Sequence, residues 1–161
     1  MNDDLIPKWI KQIKDNDEAQ KSEAELNRLR NLTAQAVVQS EGPRFWKQLA
    51  KDLEIAANAC SKIGITATCN SLGNQAQPGE HGVRVDMNAG FPFHKIAHTI
   101  LWYTEGSGYI RWITMEDQEK RIPLAIGPTG EISAVGASGG ILGAEKTAEQ
   151  VLAPLVHYVR S

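Results

Sequence analysis

Two histidines four residues apart, His94 and His98, are the first candidates for chemistry in this sequence. On a helix this spacing places both imidazoles on one face, where they can bind a metal ion. The neighbouring residues alternate with a period of two, so we expect a strand, and Lys95 stands where a zinc protease carries its glutamate. His81 or Asp86 would have to complete a site. We therefore expect histidines that are hydrogen-bonded or face solvent, and no metal.

A glycine-rich run, residues 136–147, comes close to a phosphate-binding loop. Read from Gly140, four spacers are followed by Glu145-Lys146-Thr147, whereas the nucleotide-binding loop requires glycine, lysine and threonine. A carboxylate at position 145 would repel phosphate. The dinucleotide-binding pattern also fails, because the glycine spacing differs and no βαβ unit surrounds the run. We predict a connection from the last strand to a final helix, and no cofactor.

The remaining polar residues do not combine into a nucleophile and its base. The serines lie outside any nucleophile-elbow motif, and the carboxylates Glu116-Asp117 fall in a turn, where charge keeps a loop hydrated. The two cysteines, Cys60 and Cys69, are too few for a disulfide framework or a structural zinc site. Both fall at expected core positions. We favour a protein without catalytic activity, while an enzyme stays an open alternative.

A predicted hairpin, residues 96–115, holds the candidate ligand-binding residues. Pairing Thr104 with Tyr109 across the turn Glu105–Gly108 sets the register, and successive side chains then alternate between two faces. One face suits a core and carries Thr99, Leu101, Tyr103, Ile110, Trp112 and Thr114. The second face is also apolar but includes polar groups, and its candidate ligand-binding residues are His98, Trp102, Tyr109 and Arg111.

A hairpin that is apolar on both faces needs two covers. We expect the helix Trp46–Ile63 to cover the first face. The second face needs residues 1–40, a second subunit or a ligand. On that face Trp102 stands opposite Arg111, where a cation–π contact can form.

Helices are predicted throughout the first part of the chain. A short amphipathic segment ends at Asp15-Asn16-Asp17, and a second helix with a thin apolar seam ends at Gly42-Pro43, because proline disfavours helical geometry in the residue before it. A third helix has apolar residues at three- and four-residue spacing from Trp46 to Ile63, and Gly64 is placed to terminate it. The helices before Gly42 must pack against another part of the protein or a partner, because an isolated helix of this composition is only marginally stable.

From Ile65 the period changes to two, and about six short antiparallel strands follow. Residues 71–82 are predicted to form a loop. A final helix is expected from Thr147, where Thr147-Ala148-Glu149-Gln150 matches a capping box, and Pro154 should bend or interrupt it. Strands grouped apart from helices indicate an α+β fold, in which N-terminal helices pack on a curved antiparallel sheet closed by a C-terminal helix.

The composition excludes several classes of partner. The 161 residues are 42% hydrophobic and 22% charged, as in ordinary globular proteins, and we expect an N-terminal helical extension, residues 1–43, and a single α+β domain, residues 44–161. The net charge of −2 is evenly spread, so no basic excess favours nucleic acid or an anionic membrane. We expect neither a signal peptide nor a membrane-spanning segment, and we expect a cytoplasmic location.

The segment Phe45-Trp46-Lys47-Gln48-Leu49 and the ending Thr147–Val156 resemble those of small bacterial α+β proteins of unknown function. The resemblance implies a long N-terminal helix laid on a curved sheet and closed by a C-terminal helix, and it implies no active site. We expect a non-catalytic protein-interaction or self-association module, whose partner is a second copy or another protein. The alternative is a small-molecule binding protein or enzyme with a pocket between the sheet and its helices.

Overall fold

A computed structural model of the chain describes residues 7–73, 77–90, 92 and 94–161. The elements, in chain order, are α1 (Lys8–Ala59), a 3₁₀ turn (Cys60–Ile63), β1 (Ile65–Gly73), β2 (Glu80–Ala89), β3 (Lys95–Thr104), β4 (Tyr109–Ile113), β5 (Glu119–Ile126), β6 (Ile132–Val135), β7 (Ile141–Leu142) and α2 (Ala144–Val159). The predicted α+β class is confirmed, with seven strands in the described residues where about six were predicted. The chain divides into two compact units, Met1–Ala36 and Val37–Ser161.

In the first unit, the described residues form the N-terminal part of α1. Every described side chain from Pro7 to Thr33 is exposed. The break predicted at Asp15-Asn16-Asp17 is wrong, because α1 continues through these residues. Aspartate and asparagine each cost a helix only a fraction of a kcal/mol relative to alanine, so three of them do not end it.

The second unit is built on a single curled antiparallel sheet. Each strand pairs with the next in the chain, so the order is β1 to β7 without a crossover. The C-terminal part of α1 and α2 both bury apolar side chains against one face, which we call the inner face. The sheet contributes Val85, Met87, Leu101, Tyr103, Ile110 and Ile122 to this buried core, and the helices contribute Leu49, Leu53, Val151 and Leu155. The opposite face is called the outer face below.

The predicted register of the hairpin is confirmed. Trp102 pairs with Arg111, and Leu101 pairs with Trp112. On the inner face Thr99 is buried, and its hydroxyl donates a hydrogen bond of 2.6 Å to the carbonyl oxygen of Ile113. The same hydroxyl accepts one of 2.9 Å from the indole N–H of Trp112. The Thr99 hydroxyl and the Trp112 indole N–H are thereby paired, so both side chains can join the core.

The predicted end of a helix at Gly42-Pro43 is wrong, because both residues lie inside α1. Gly42 packs directly against the Tyr103 ring, and a Cβ atom at that position would lie 2.2 Å from the Tyr103 hydroxyl. The Trp46 and Tyr103 rings stack with their centroids 5.8 Å apart. These contacts anchor the helix on both sides of Pro43, so tertiary packing outweighs the local preference to stop. Gly64 does end the helical region, in a left-handed conformation with φ of 76°.

Two other predicted boundaries are wrong. Residues 71–82 are not a loop throughout, because Gly73 pairs with His81 and extends the β1–β2 ladder to both ends of that stretch; residues 74–76 lie outside the described residues. Helix α2 begins at Ala144, so Thr147 does not cap it. The Thr147 hydroxyl is buried and donates a 2.8 Å hydrogen bond to the Gly143 carbonyl one turn earlier. Pro154 lies within α2, which continues past it to Val159.

Candidate functional site

The four predicted ligand-binding residues all lie on the outer face of the sheet. His98 and Trp102 come from β3, and Tyr109 and Arg111 from β4, at positions that alternate with buried inner-face residues. All four side chains are half-buried. Because they point away from the core, they do not form a pocket between the sheet and the helices. Their role in ligand binding stays a prediction.

Trp102 packs flat against the neighbouring strand at Gly82. The two residues are paired across β2 and β3, and a Cβ atom on Gly82 would lie 2.6 Å from the indole ring. The Cβ atom of Leu72, on β1, lies 3.0 Å from the same point. A glycine is therefore needed beneath the ring. The indole is half-buried, and this contact occupies part of the surface that a ligand could use.

Arg111 is held by two carboxylates. Its guanidinium donates a 2.5 Å hydrogen bond to Glu119 and lies 3.6 Å from Glu80, whose side chain is only 9% exposed. The cation–π contact in this part of the face joins Arg121 to Tyr109, with the guanidinium carbon 4.3 Å from the ring centroid. Arg111 therefore pairs with acidic residues, although it stands opposite Trp102 as predicted. Arginines that are already paired reduce the attraction of this face for an anionic ligand.

His98 lies beside a shallow depression of about 320 Å³ at the other end of the face. Its Nε2 atom is 3.9 Å from a carboxylate oxygen of Asp117. Arg84 and Asp86, which line the same depression, are joined by hydrogen bonds of 3.0 to 3.2 Å, and this pairing raises the pKa of Arg84. Among the described residues, no group of three or more His, Cys, Asp or Glu side chains is arranged to hold a metal ion.

The outer face remains partly open in the chain. Ile96 is 73% exposed, whereas Ile100 and Ile113, which pair across β3 and β4, are half-buried. The second cover that the sequence requires for this hairpin is thus not complete within the described residues. Long polar side chains such as Arg84, the cross-strand neighbour of Ile100, lie on the same face. Their aliphatic stems can shield apolar surface in water.

The glycine-rich run forms a turn, a short strand and the start of a helix. Gly139 has a left-handed backbone, and the Gly136 N–H bonds to the carbonyl of Gly140. The run also contains β7, a two-residue strand that was not predicted because so short an element shows no periodicity. It connects β6 to α2, as predicted.

Neither cysteine is part of a disulfide. Cys60 is buried and Cys69 is half-buried. Burial raises the pKa of both thiols, and for Cys69 the nearby Glu54 carboxylate raises it further. A thiol with a raised pKa carries little thiolate near neutral pH and is a poor nucleophile.

Two of the open cavities among the described residues lie between α1 and other elements of the second unit. The larger, about 790 Å³, is lined on its α1 side by Arg44, Lys47 and Lys51, and on the other side by residues 130–132 and Ala144. The smaller, about 560 Å³, is lined by α1 residues and by Cys69, Ser71, His81 and Glu105. His81 is already paired with Glu105 at 3.0 Å.

A third cavity, about 620 Å³, is an apolar groove between α1 and α2. We call it the interhelix groove; it is lined by Asp52, Ile55, Ala56, Ala59, Cys60, Glu145, Ala148, Glu149, Leu152, Ala153, Val156 and His157. Ile55 is 56% exposed there. Four of the lining residues are alanines, so the groove has room for larger side chains from elsewhere.

The first unit presents large apolar side chains to solvent. Six side chains of α1 that are 41–65% exposed fall into a Trp9 cluster (Trp9, Ile10 and Ile13) and a leucine cluster (Leu26, Leu29 and Leu32). At 3.6 residues per turn the two clusters lie about 150° apart around the helix. A single partner helix therefore cannot cover both. Sequence reasoning identified the apolar residues but could not show that they remain uncovered.

Comparisons of the chain with protein-family models, with curated proteins and with solved structures found no match. None of the helices in the described part of the chain is long and apolar enough to span a membrane.

Proposed function

We propose that this chain is a non-catalytic self-association module whose docking element is the N-terminal segment of α1, residues 8–36. One observation carries the proposal: six large apolar side chains in this segment are 41–65% exposed. A helix in water gains most of its stability by burying its apolar stripe. Exposed apolar side chains in such number are typical of surfaces that bind another protein.

A second copy of the chain is the partner we favour. The net charge is −2 at pH 7, so two copies repel each other little at long range. The segment also carries both signs of charge, for example the Glu25–Arg28 ion pair of 2.7 Å. Helices with mixed charges beside an apolar stripe are suited to pairing with a like helix.

The proposal is tested by placing charge in the leucine cluster of the full chain. The double variant Leu26→Glu, Leu29→Glu should lower the weight-average molar mass in sedimentation experiments at a given concentration, because a buried unpaired carboxylate is costly. The matched control is Asn27→Glu, Asn31→Glu, which adds the same charge to polar, exposed positions of the same helix. The control should sediment like the natural chain. Equal masses for all three chains would contradict the proposal.

The alternative is a binding protein for a small anion. The cavity of about 790 Å³ lies within the size range of ligand sites and exposes Arg44, Lys47 and Lys51, although Glu41 and Glu131 also line it. Heat of binding on titration with inorganic phosphate, lost in Lys47→Ala, would favour this function. If the titration shows no heat of binding, the anion-binding alternative loses its main support.

A further inference from the structure

The sheet of the second unit ends at β1 on one side and at β7 on the other. β1 is nine residues long and pairs with β2 along its whole length, whereas its opposite edge meets no strand of the described residues. Among these residues, no backbone hydrogen bond from another element reaches that edge either. Alternate N–H and C=O groups of β1 therefore point outward, in the arrangement that accepts a further strand.

The edge of β1 lacks the features that protect most exposed edges. Natural edge strands are kept apart by lysines, prolines, bulges, short length or a covering element. The residues of β1 include no charged residue and no proline, and its ladder with β2 runs without a bulge. β7, at the other end of the sheet, has only two residues and is protected by its shortness. Within the described residues, the sheet thus has one edge that is suited to pairing with another strand.

A second copy of the chain supplies a strand that matches this edge. Because β7 is too short to serve as the partner edge, two copies of the sheet join through β1 of each, and antiparallel pairing about a two-fold axis closes the assembly. Nine residues on each strand form about eight backbone hydrogen bonds, close to the roughly ten of a typical protein interface. Neither strand brings a charge to the contact, so no like charges oppose each other there.

We propose that β1 of one copy pairs antiparallel with β1 of a second copy, so that the two sheets become continuous. The interface rests on the self-association proposed above but uses none of residues 8–36. Overlap of all nine residues sets the register, in which Cys69 lies opposite Cys69 of the second copy and Thr68 lies opposite its Asn70.

Two double variants test this register. Thr68→Lys with Asn70→Lys places lysine opposite lysine at two symmetric positions, and the like charges should weaken association by at least about tenfold. Thr68→Lys with Asn70→Asp places lysine opposite aspartate and should associate at least as tightly as the parent chain. Both positions are exposed, and the two variants differ at one residue.

Both variants are made in the full chain that carries Leu26→Glu and Leu29→Glu, which removes the contact proposed for the N-terminal segment. The association that remains in this parent chain is then the contribution of β1. Sedimentation velocity over a range of concentrations measures it.

Cys69 supplies a second readout. Directly opposed residues of an antiparallel pair have Cα atoms about 4.5–5.5 Å apart, within the range that a disulfide spans. Diamide should therefore join two copies covalently, as the two Cys69 thiols are oxidised to a disulfide and the diamide takes up two electrons and two protons. The reaction is run at alkaline pH because the pKa of Cys69 is raised. Cys69→Ser should prevent the cross-link, whereas Cys60→Ser, at the buried cysteine, should not.

The outcomes separate this interface from self-association itself. A parent chain that is monomeric at every concentration, or equal association of the two lysine variants, would overturn the pairing of β1 and leave self-association through residues 8–36 standing. A natural chain that is monomeric at every concentration would overturn both. Association that depends on β1 without a cross-link at Cys69 would overturn the nine-residue register.

Discussion

Tyr103 holds the only buried side-chain oxygen among the described residues that has no hydrogen-bond partner. The ring is fully buried between Trp46 and the sheet. Burial raises the pKa of this hydroxyl above its ordinary value, more than the nearby backbone of Gly106 lowers it. An unpaired buried hydroxyl costs about 1–3 kcal/mol, so it weakens the core that it occupies.

Replacing Tyr103 with phenylalanine should therefore cost no stability at neutral pH and can gain about 1 kcal/mol. The raised pKa means that the folded chain holds the phenolic proton more tightly than the unfolded chain. Above about pH 10, where the unfolded chain ionises at this tyrosine, the natural chain should lose more stability than Tyr103→Phe. The raised pKa values of Cys60 and Cys69 give both chains a further loss in common. Urea unfolding at neutral and alkaline pH measures both effects. The control is Tyr158→Phe at an exposed tyrosine; a destabilised Tyr103→Phe variant would show that the hydroxyl is paired after all.

The packing of α1 against the sheet also depends on Gly42, which lies directly against Tyr103. Alanine there should destabilise the fold by about 1–3 kcal/mol in spite of its better helix propensity, because its Cβ atom would meet the Tyr103 hydroxyl at 2.2 Å. The same substitution in a Tyr103→Phe background should cost less, since the closest atom is gone. A double-mutant cycle by urea unfolding measures this coupling. Additive effects would mean that the two residues do not meet.

At the level of elements, the sequence predicted the sheet better than the helix boundaries. Alternation sets the register of the hairpin because a shift of one residue would turn its buried face outward. The predicted helix boundaries rested on the local preferences of Gly42-Pro43 and Thr147. In the folded chain these residues lie inside helices. Gly42 is required by contact with Tyr103, and Thr147 became internal because α2 begins at Ala144. Such tertiary contacts leave no periodic signal in the sequence.

The two faces of the hairpin should differ in what they contribute to stability. Leu101→Ala should cost about 2–5 kcal/mol because Leu101 is fully buried on the inner face. Ile100→Ala, on the half-buried outer face, should cost about half as much or less, since fewer apolar contacts are lost. Urea unfolding of the two neighbouring variants at low concentration makes the comparison. Equal costs would show that the outer face is as well covered as the inner one.

For the candidate site, the sequence predicted which residues share one face of the sheet but not what surrounds them. His98, Trp102, Tyr109 and Arg111 share one face, as the alternation predicted. The pairing of Arg111 with Glu80 depends on contacts between strands that are far apart in the sequence. The interhelix groove was not predicted either, because it exists only where α1 and α2 pack side by side.

At the scale of the whole molecule, three apolar surfaces bear on association: the Trp9 cluster, the leucine cluster and the outer face of the sheet. None of them is fully covered within the described residues. The chain also has open cavities beside α1. On its outer face Arg84 is paired with Asp86, and Arg111 with Glu119. Uncovered apolar surface is therefore the feature on which the proposed self-association rests.

Light scattering of the natural chain, residues 1–161, from low to high micromolar concentration is the sharpest test of self-association. The chain has a mass of 17.6 kDa. We predict an average molar mass that rises with concentration toward at least twice that value, because the exposed side chains of the N-terminal segment become buried between copies. A molar mass that stays at 17.6 kDa over the whole range would contradict the account.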